Sequence, residues 1–195
     1  MKKIFIIILL CLFLIGCETF TRRNIDGNYL SGQYNIEIKV KNYGVIKATL
    51  DADEAPITVT NFINLVNEKF YDNLTFHRII KGFMIQGGDP EANGSGGSDT
   101  NIKGEFLANG VENNISHVRG TISMARADDY NSGSSQFFIM HKDDTDLDNY
   151  YAAFGKVTEG MEVVDKICKD AKPTDDNGTI PMAKQPVIEY IKVID

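Results

Sequence analysis

A single arginine sits among phenylalanine, isoleucine and methionine in the run FHRIIKGFMIQGGD, Phe76 to Asp89. A guanidinium in such company can be an inward ion pair, a surface charge whose stem covers apolar groups, or a donor aimed into an apolar cleft. Spacing alone leaves all three open. Two later segments, GTISMAR from Gly120 to Arg126 and QFFI from Gln136 to Ile139, add weight to the cleft. The two-residue alternation of an extended chain puts Gln136 and Phe138 on one strand face. Both regions therefore set a polar amide beside large apolar neighbours.

Other chemistries find little support. Asp144, Asp146 and Asp148 open like a calcium loop, but Asn149 stands where glycine is needed and Gly155 where a bidentate glutamate is needed. A solvated acidic loop is the expectation there. The stretch Asn93 to Ser98 is rich in glycine and serine, yet lacks the lysine and the strand-to-helix setting of a phosphate cradle, and reads as a flexible loop. His77, His117 and His141 are scattered without helical pairing or cysteine partners, so no metal site is expected. Ser134 and Ser135 lack the frame of a nucleophile elbow.

The elements that must position these residues are mostly strands. Tyr34, Ile36, Ile38 and Val40 alternate with Asn35, Glu37, Lys39 and Lys41, and Asn42-Tyr43-Gly44 turns the chain into a second strand from Val45 to Leu50. Further strand-like runs cover 74–80, 83–86, 120–124, 136–140, 152–157 and 187–194. Pro56 in the first turn, preceded by Asp53 and Glu54, opens a helix with Val59, Phe62, Ile63, Val66 and Phe70 on one face, ending near Lys69. A second helix is expected from Gly160 to Ala171, stopped by Pro173. Many short strands with two helices predict a closed or nearly closed antiparallel barrel with helical caps.

The N-terminal residues belong to a different argument. Two lysines precede an uncharged apolar run from Ile4 to Ile15, the length of a secretory signal core and short of the roughly 20 residues that span a bilayer. Leu14-Ile15-Gly16-Cys17 resembles the bacterial lipobox, which implies cleavage before Cys17 and lipid on its sulfur. The expected organisation is a signal peptide over 1–16, a lipidated Cys17 and tether over 17–32, and one domain over 33–195. Localisation would be the extracytoplasmic side of the cell membrane, lipid-anchored. Setting aside residues 1–16 leaves 18 basic against 27 acidic residues, a net charge of −9, which argues against a nucleic-acid surface. Of three cysteines only Cys168 falls in the domain, so no internal disulfide can form there, and it reads as a buried thiol on the second helix.

The segments FHRIIKGFMIQGGD, GTISMARA, SGSSQFFIM and AAFGKV, in this order and spacing, resemble the cyclophilins, which are peptidyl-prolyl cis-trans isomerases. The likeness runs from about Tyr34 to Val193. It implies an eight-stranded antiparallel closed β-barrel capped by two α-helices, no cofactor, no metal, a monomeric domain, and proline-containing polypeptides as partners. Carried over by position, the resemblance gives Arg78 as the catalytic arginine with His77 beside it. Phe83, Met84, Phe138 and Leu147 match the proline pocket, Gln86 and Gln136 its amide groups, and Ala125 with Arg126 the edge that pairs with substrate backbone. Arg126 replaces an asparagine common in the family, a change the main-chain pairing should tolerate. Asp146 stands where eukaryotic members carry tryptophan, and Tyr151 where they carry histidine. The missing tryptophan implies weak inhibition by cyclosporin. The alternative to an isomerase is a lipid-anchored module that binds proline peptides without significant turnover.

Overall fold

The computed structural model describes residues 27–194. The signal segment, Cys17 and the first part of the tether lie outside these residues. Eight strands and two α-helices follow in the order β1 (Gln33–Val40), β2 (Gly44–Asp51), α1 (Pro56–Asn67), β3 (Phe76–Ile80), β4 (Met84–Gly87), β5 (Thr121–Met124), β6 (Phe137–Met140), β7 (Ala152–Glu159), α2 (Met161–Asp170) and β8 (Ile188–Ile194). Each expected strand is present within a few residues of its expected bounds, because alternation persists wherever one face meets the core.

All pairings within the sheet are antiparallel, and its order is β3-β4-β6-β5-β7-β2-β1-β8. Closure is where the expectation fails. The sheet is an open half-barrel: the edge strands β3 and β8 do not pair with each other, and the residues just before them meet in one isolated bridge, Thr75 with Val187. Two features keep the edges apart: Pro186 accepts a bond from the Phe76 amide at 2.9 Å but has no N–H to return, and the edge of β3 is taken by Gly178 and Ile180, which bond Ile79 and His77 at 2.8 and 2.9 Å. The ladder stops there, and the Gln185 side chain bonds the Thr75 hydroxyl instead.

The main core fills the half-barrel with Ile36, Ile38, Ile46, Leu50, Phe62, Phe76, Phe137 and Phe154, all fully buried. Around Phe62 the rings of Tyr71, Phe137 and Phe154 pack at centroid distances of 4.9, 5.4 and 5.2 Å. α1 presents Val59, Phe62, Ile63 and Val66 to this core, as its spacing predicts. Its N-terminus is not served by the acids expected of it. Glu105, 47 residues downstream of Thr58, takes the amides of Ile57 and Thr58 at 2.9 and 2.8 Å and the Thr58 hydroxyl at 2.6 Å. Asp53 and Glu54 instead bond Gly32 and Asn114. Cys168 is buried on α2, and burial pushes its thiol up to about 12, which makes it inert. The end of the expected tether is docked, since Leu30 donates to the Thr60 hydroxyl at 2.8 Å and packs on the core.

β3, β4 and β6 are covered on both faces. Ile79, Ile85, Phe137 and Ile139 join the main core, while Met84, Phe138 and Met140 form a separate apolar cluster on the other face.

Candidate active site

That second cluster is the floor of a cleft of about 250 Å³, lined by Arg78, Phe83, Met84, Gln86, Ala125, Arg126, Phe138, Leu147 and Tyr151. Register explains the assembly. Arg78 lies opposite Gln86 across β3 and β4, Gln86 opposite Phe138 across β4 and β6, and Phe138 opposite Ser123 across β6 and β5. Directly paired residues share a face, so a charge, an amide and a ring fall into one row. The tight turn at Gly82, with φ of +86°, brings Phe83 over the end of that row.

Arg78 is held from two sides. Its Nε donates to the Asn177 carbonyl at 2.8 Å, and its Nη1 donates to Gln86 Oε1 at 3.1 Å. Gln86 in turn donates to Gln136 Oε1 at 2.8 Å, and Gln136 donates to the carbonyls of Gly96 and Gly94 at 2.7 and 3.1 Å. No hydrogen bond among the described residues occupies Nη2. Burial lowers the guanidinium pKa from its ordinary value, against the opposing influence of Tyr151 and Asp175. An arginine nevertheless stays charged, and here the charge borders an apolar floor. Arg78 stands on the wall of the cleft, and among the described residues no carboxylate forms an ion pair with it.

The glycine-rich loop is not the free loop expected from its composition. Buried Asp89 accepts the amides of Glu91, Asn93 and Gly94, which fixes the carbonyls that Gln136 needs. A Cβ at Gly96 would come within 2.2 Å of the Asp89 carboxylate, so glycine is required there.

The acidic loop likewise does more than meet solvent. Asp148 Oδ1 accepts the His117 amide and Nδ1–H, both at 2.7 Å, and its other oxygen accepts the Ser116 hydroxyl at 2.5 Å. With that proton on Nδ1, Nε2 of the neutral ring accepts from the Ser123 hydroxyl at 2.9 Å. The order serine, histidine, aspartate resembles a nucleophile triad, but His117 and Ser123 are fully buried and no substrate reaches them. His117 instead stacks on Phe138 at 6.0 Å, supporting the floor from behind. Burial lowers the His117 pKa against the pull of Asp148. Burial alone would raise that of Asp148, yet the bonds from Ser116 and His117 outweigh it.

The structure thus brings together nine of the residues named from the sequence and leaves two outside the cleft. Gln136 lines an adjoining cavity and reaches the cleft through Gln86. His77 is buried near Gly94, with neither ring nitrogen bonded to another described residue. Asp146, beside Leu147, is exposed on a single 3-10 turn, Thr145–Leu147. Sequence reasoning missed Asn177, whose loop carries no periodic signal, and the network of His117, Ser123 and Asp148.

A family model described as "Cyclophilin type peptidyl-prolyl cis-trans isomerase/CLD" matches residues 35–193. The chain is similar to peptidyl-prolyl cis-trans isomerase A of Dickeya dadantii, 43% identical over 133 residues, which is 64% of this chain and 66% of that protein. It is also similar to peptidyl-prolyl cis-trans isomerase B of Bacillus subtilis, 46% identical over 117 residues, 60% of this chain and 78% of the other. Among solved structures, a cyclophilin type isomerase of Cryptosporidium parvum, crystallised in the presence of the dipeptide Ala-Pro, superposes with a TM-score of 0.73 at 30% identity, covering 83% of this chain and 99% of that one. With the family's pattern running through nearly every element that builds the cleft, the chain belongs to the cyclophilin-type peptidyl-prolyl cis-trans isomerases.

Proposed function

We propose that Arg78 and the apolar cleft catalyse rotation about X-Pro peptide bonds of exported proteins at the extracytoplasmic membrane surface. The observation that carries the reaction is a guanidinium fixed by Gln86 and Asn177, with one nitrogen unbonded among the described residues, over a floor of Phe83, Met84, Phe138 and Leu147.

An X-Pro bond resists rotation because the nitrogen lone pair is shared with the carbonyl, a barrier of roughly 18 to 20 kcal/mol. At the twisted transition state that sharing is lost and the lone pair localises on nitrogen. A donor aimed at that nitrogen interacts more strongly there than in either planar state, which is the condition for a faster rate. The proline ring sits on Phe138 and Met84 and displaces water, so the Arg78 charge acts in a poorly screened medium. Preorganisation by Gln86 and Asn177 means the guanidinium need not be reordered at the moment of rotation. The Ala-Pro dipeptide used with the C. parvum relative supports a proline-containing segment as the ligand here.

A protease-coupled assay on an X-Pro peptide tests this reading. The Arg78→Ala variant should lose at least about tenfold in kcat/KM, or roughly 1.4 kcal/mol of transition-state stabilisation. A folded protein that leaves isomerisation at its uncatalysed rate, while still binding the peptide, would instead be the binding module. The location rests on residues 1–17: a Cys17→Ser variant should leave the membrane fraction, and its retention there would remove the lipid anchor from the proposal.

A further inference from the structure

One cation at the cleft has no part in the rotation just described. Arg126 follows β5, and its guanidinium lies 4.7 Å from the ring centroid of Tyr151, 4.8 Å from that of Tyr130 and 5.3 Å from that of Phe106. Its Nε donates to the Tyr150 carbonyl at 3.0 Å, and its Nη1 donates to the carbonyls of Ala127 at 2.8 Å and Asp128 at 3.3 Å. Rings and backbone carbonyls fix the group in place without cancelling its charge.

Among the described residues no carboxylate pairs with Arg126, although the chain has 27 acidic side chains against 20 basic ones. Lys47, Arg119 and Lys192 each find an acid at 2.9, 2.8 and 3.1 Å. Asp129, three residues along the same loop, turns its carboxylate to the Asn131 amide instead. Arg126 lines the proline cleft and also the adjoining cavity of about 190 Å³ that holds Ser132 and Gln136, so it stands on the wall between them. On the isomerase reading, a peptide with its proline on Phe138 and its backbone along the Ala125–Arg126 edge would run beside this charge.

We propose that Arg126 is a specificity-determining residue that favours substrates carrying a carboxylate side chain within two residues of the proline. This rests on the isomerase reading and names a substrate class for it. Nη2 carries no bond to another described residue and can donate to an incoming carboxylate, a charge-assisted bond with no competitor among those residues to displace. The group is half-buried rather than enclosed, so the gain is that of a partly screened ion pair, roughly threefold to fivefold in kcat/KM. If Arg126 only fastened its loop to Tyr150, its removal would affect acidic and neutral peptides alike.

The test is a protease-free isomerisation assay on matched peptides carrying Glu, Gln or Lys one or two residues before or after the proline. The intact protein, Arg126→Gln and Arg126→Lys are compared. The expected result is a Glu over Gln over Lys order at one or more flanking positions, compressed at high ionic strength. Arg126→Gln should abolish the Glu to Gln ratio and Arg126→Lys should retain part of it. Equal rates for Glu and Gln peptides in the intact protein would overturn the specificity while leaving the isomerase reading intact, as would a ratio that survives Arg126→Gln. Failure to isomerise any peptide would overturn the isomerase reading itself, and this one with it.

Discussion

Gln86 shows how much of the site lies one bond away from the reacting atoms. Its oxygen receives Arg78 at 3.1 Å and its nitrogen passes the constraint to Gln136 and thence to Gly96. Gln86→Leu would keep similar bulk and remove both bonds, leaving Arg78 tied at Asn177 and by the longer contact of Nη1 to Met84 Sδ at 3.9 Å. The expected fall in kcat/KM is about threefold to tenfold, smaller than for Arg78→Ala, because the charge persists but its aim is loosened. Stopped-flow isomerisation on one peptide with both variants checks the order. Arg78, Phe83, Gln86 and Phe138 were legible through the motifs that resemble the cyclophilins; alternation by itself put Gln136 and Phe138 on one strand face and left the use of Arg78 open. Asn177 was not, since a carbonyl 99 residues from Arg78 leaves no mark on residue type. Arg126 was legible only as a backbone position, and its stacking on Tyr151, Tyr130 and Phe106 needed three loops in place.

Among elements, α1 depends most on a distant partner. Its first amides are capped by Glu105, whose pKa is raised by burial despite the bonds from Thr58 and Ile57. Glu105→Ala would strand two amides and a hydroxyl at a buried helix end, at a cost of about 2 to 3 kcal/mol. Urea denaturation should show a lower midpoint with an unchanged slope; an unchanged midpoint would mean that other groups cap the helix. The strands were legible because their apolar faces meet a core, and the helices because their spacing is strong. Closure was not legible, as strand count is silent on whether the first and last edges can pair. Pro186 and the 178–180 segment on the edge of β3 bear on that, and a proline one residue before an expected strand bears two readings until its neighbour is known.

For the molecule as a whole, all three histidines are held below the ordinary imidazole value of 6.5, each chiefly by burial. The folded state therefore binds their protons less readily than the unfolded state. Their contribution to stability is complete above the unfolded value and is lost as pH falls from about 6.5 toward the folded values. The unfolding free energy from denaturant titrations should decline between pH 7 and 5, by at most about 1.4 kcal/mol per pH unit for each histidine. A His77→Gln variant should show a shallower decline, while a flat profile in the parent would contradict the burial of these rings. Glu105 works the other way in the carboxylate range, since a raised folded-state pKa favours the fold at lower pH. Such balances could not be read from a scatter of histidines, because burial is a property of the assembled sheet.

The sheet order also has a consequence for how this chain can be made. β1 has two neighbours, β2 immediately after it and β8 at the far end, and the bond from Tyr190 to Glu37 joins residues 153 positions apart. A ribosome adding about 5 to 20 residues per second needs on the order of ten seconds or more to supply that partner. Throughout that interval β1 presents a row of unpaired backbone N–H and C=O groups, open to any strand that passes. Until its last strand arrives, the emerging chain is thus open to the same mispairing as any other unfinished sheet.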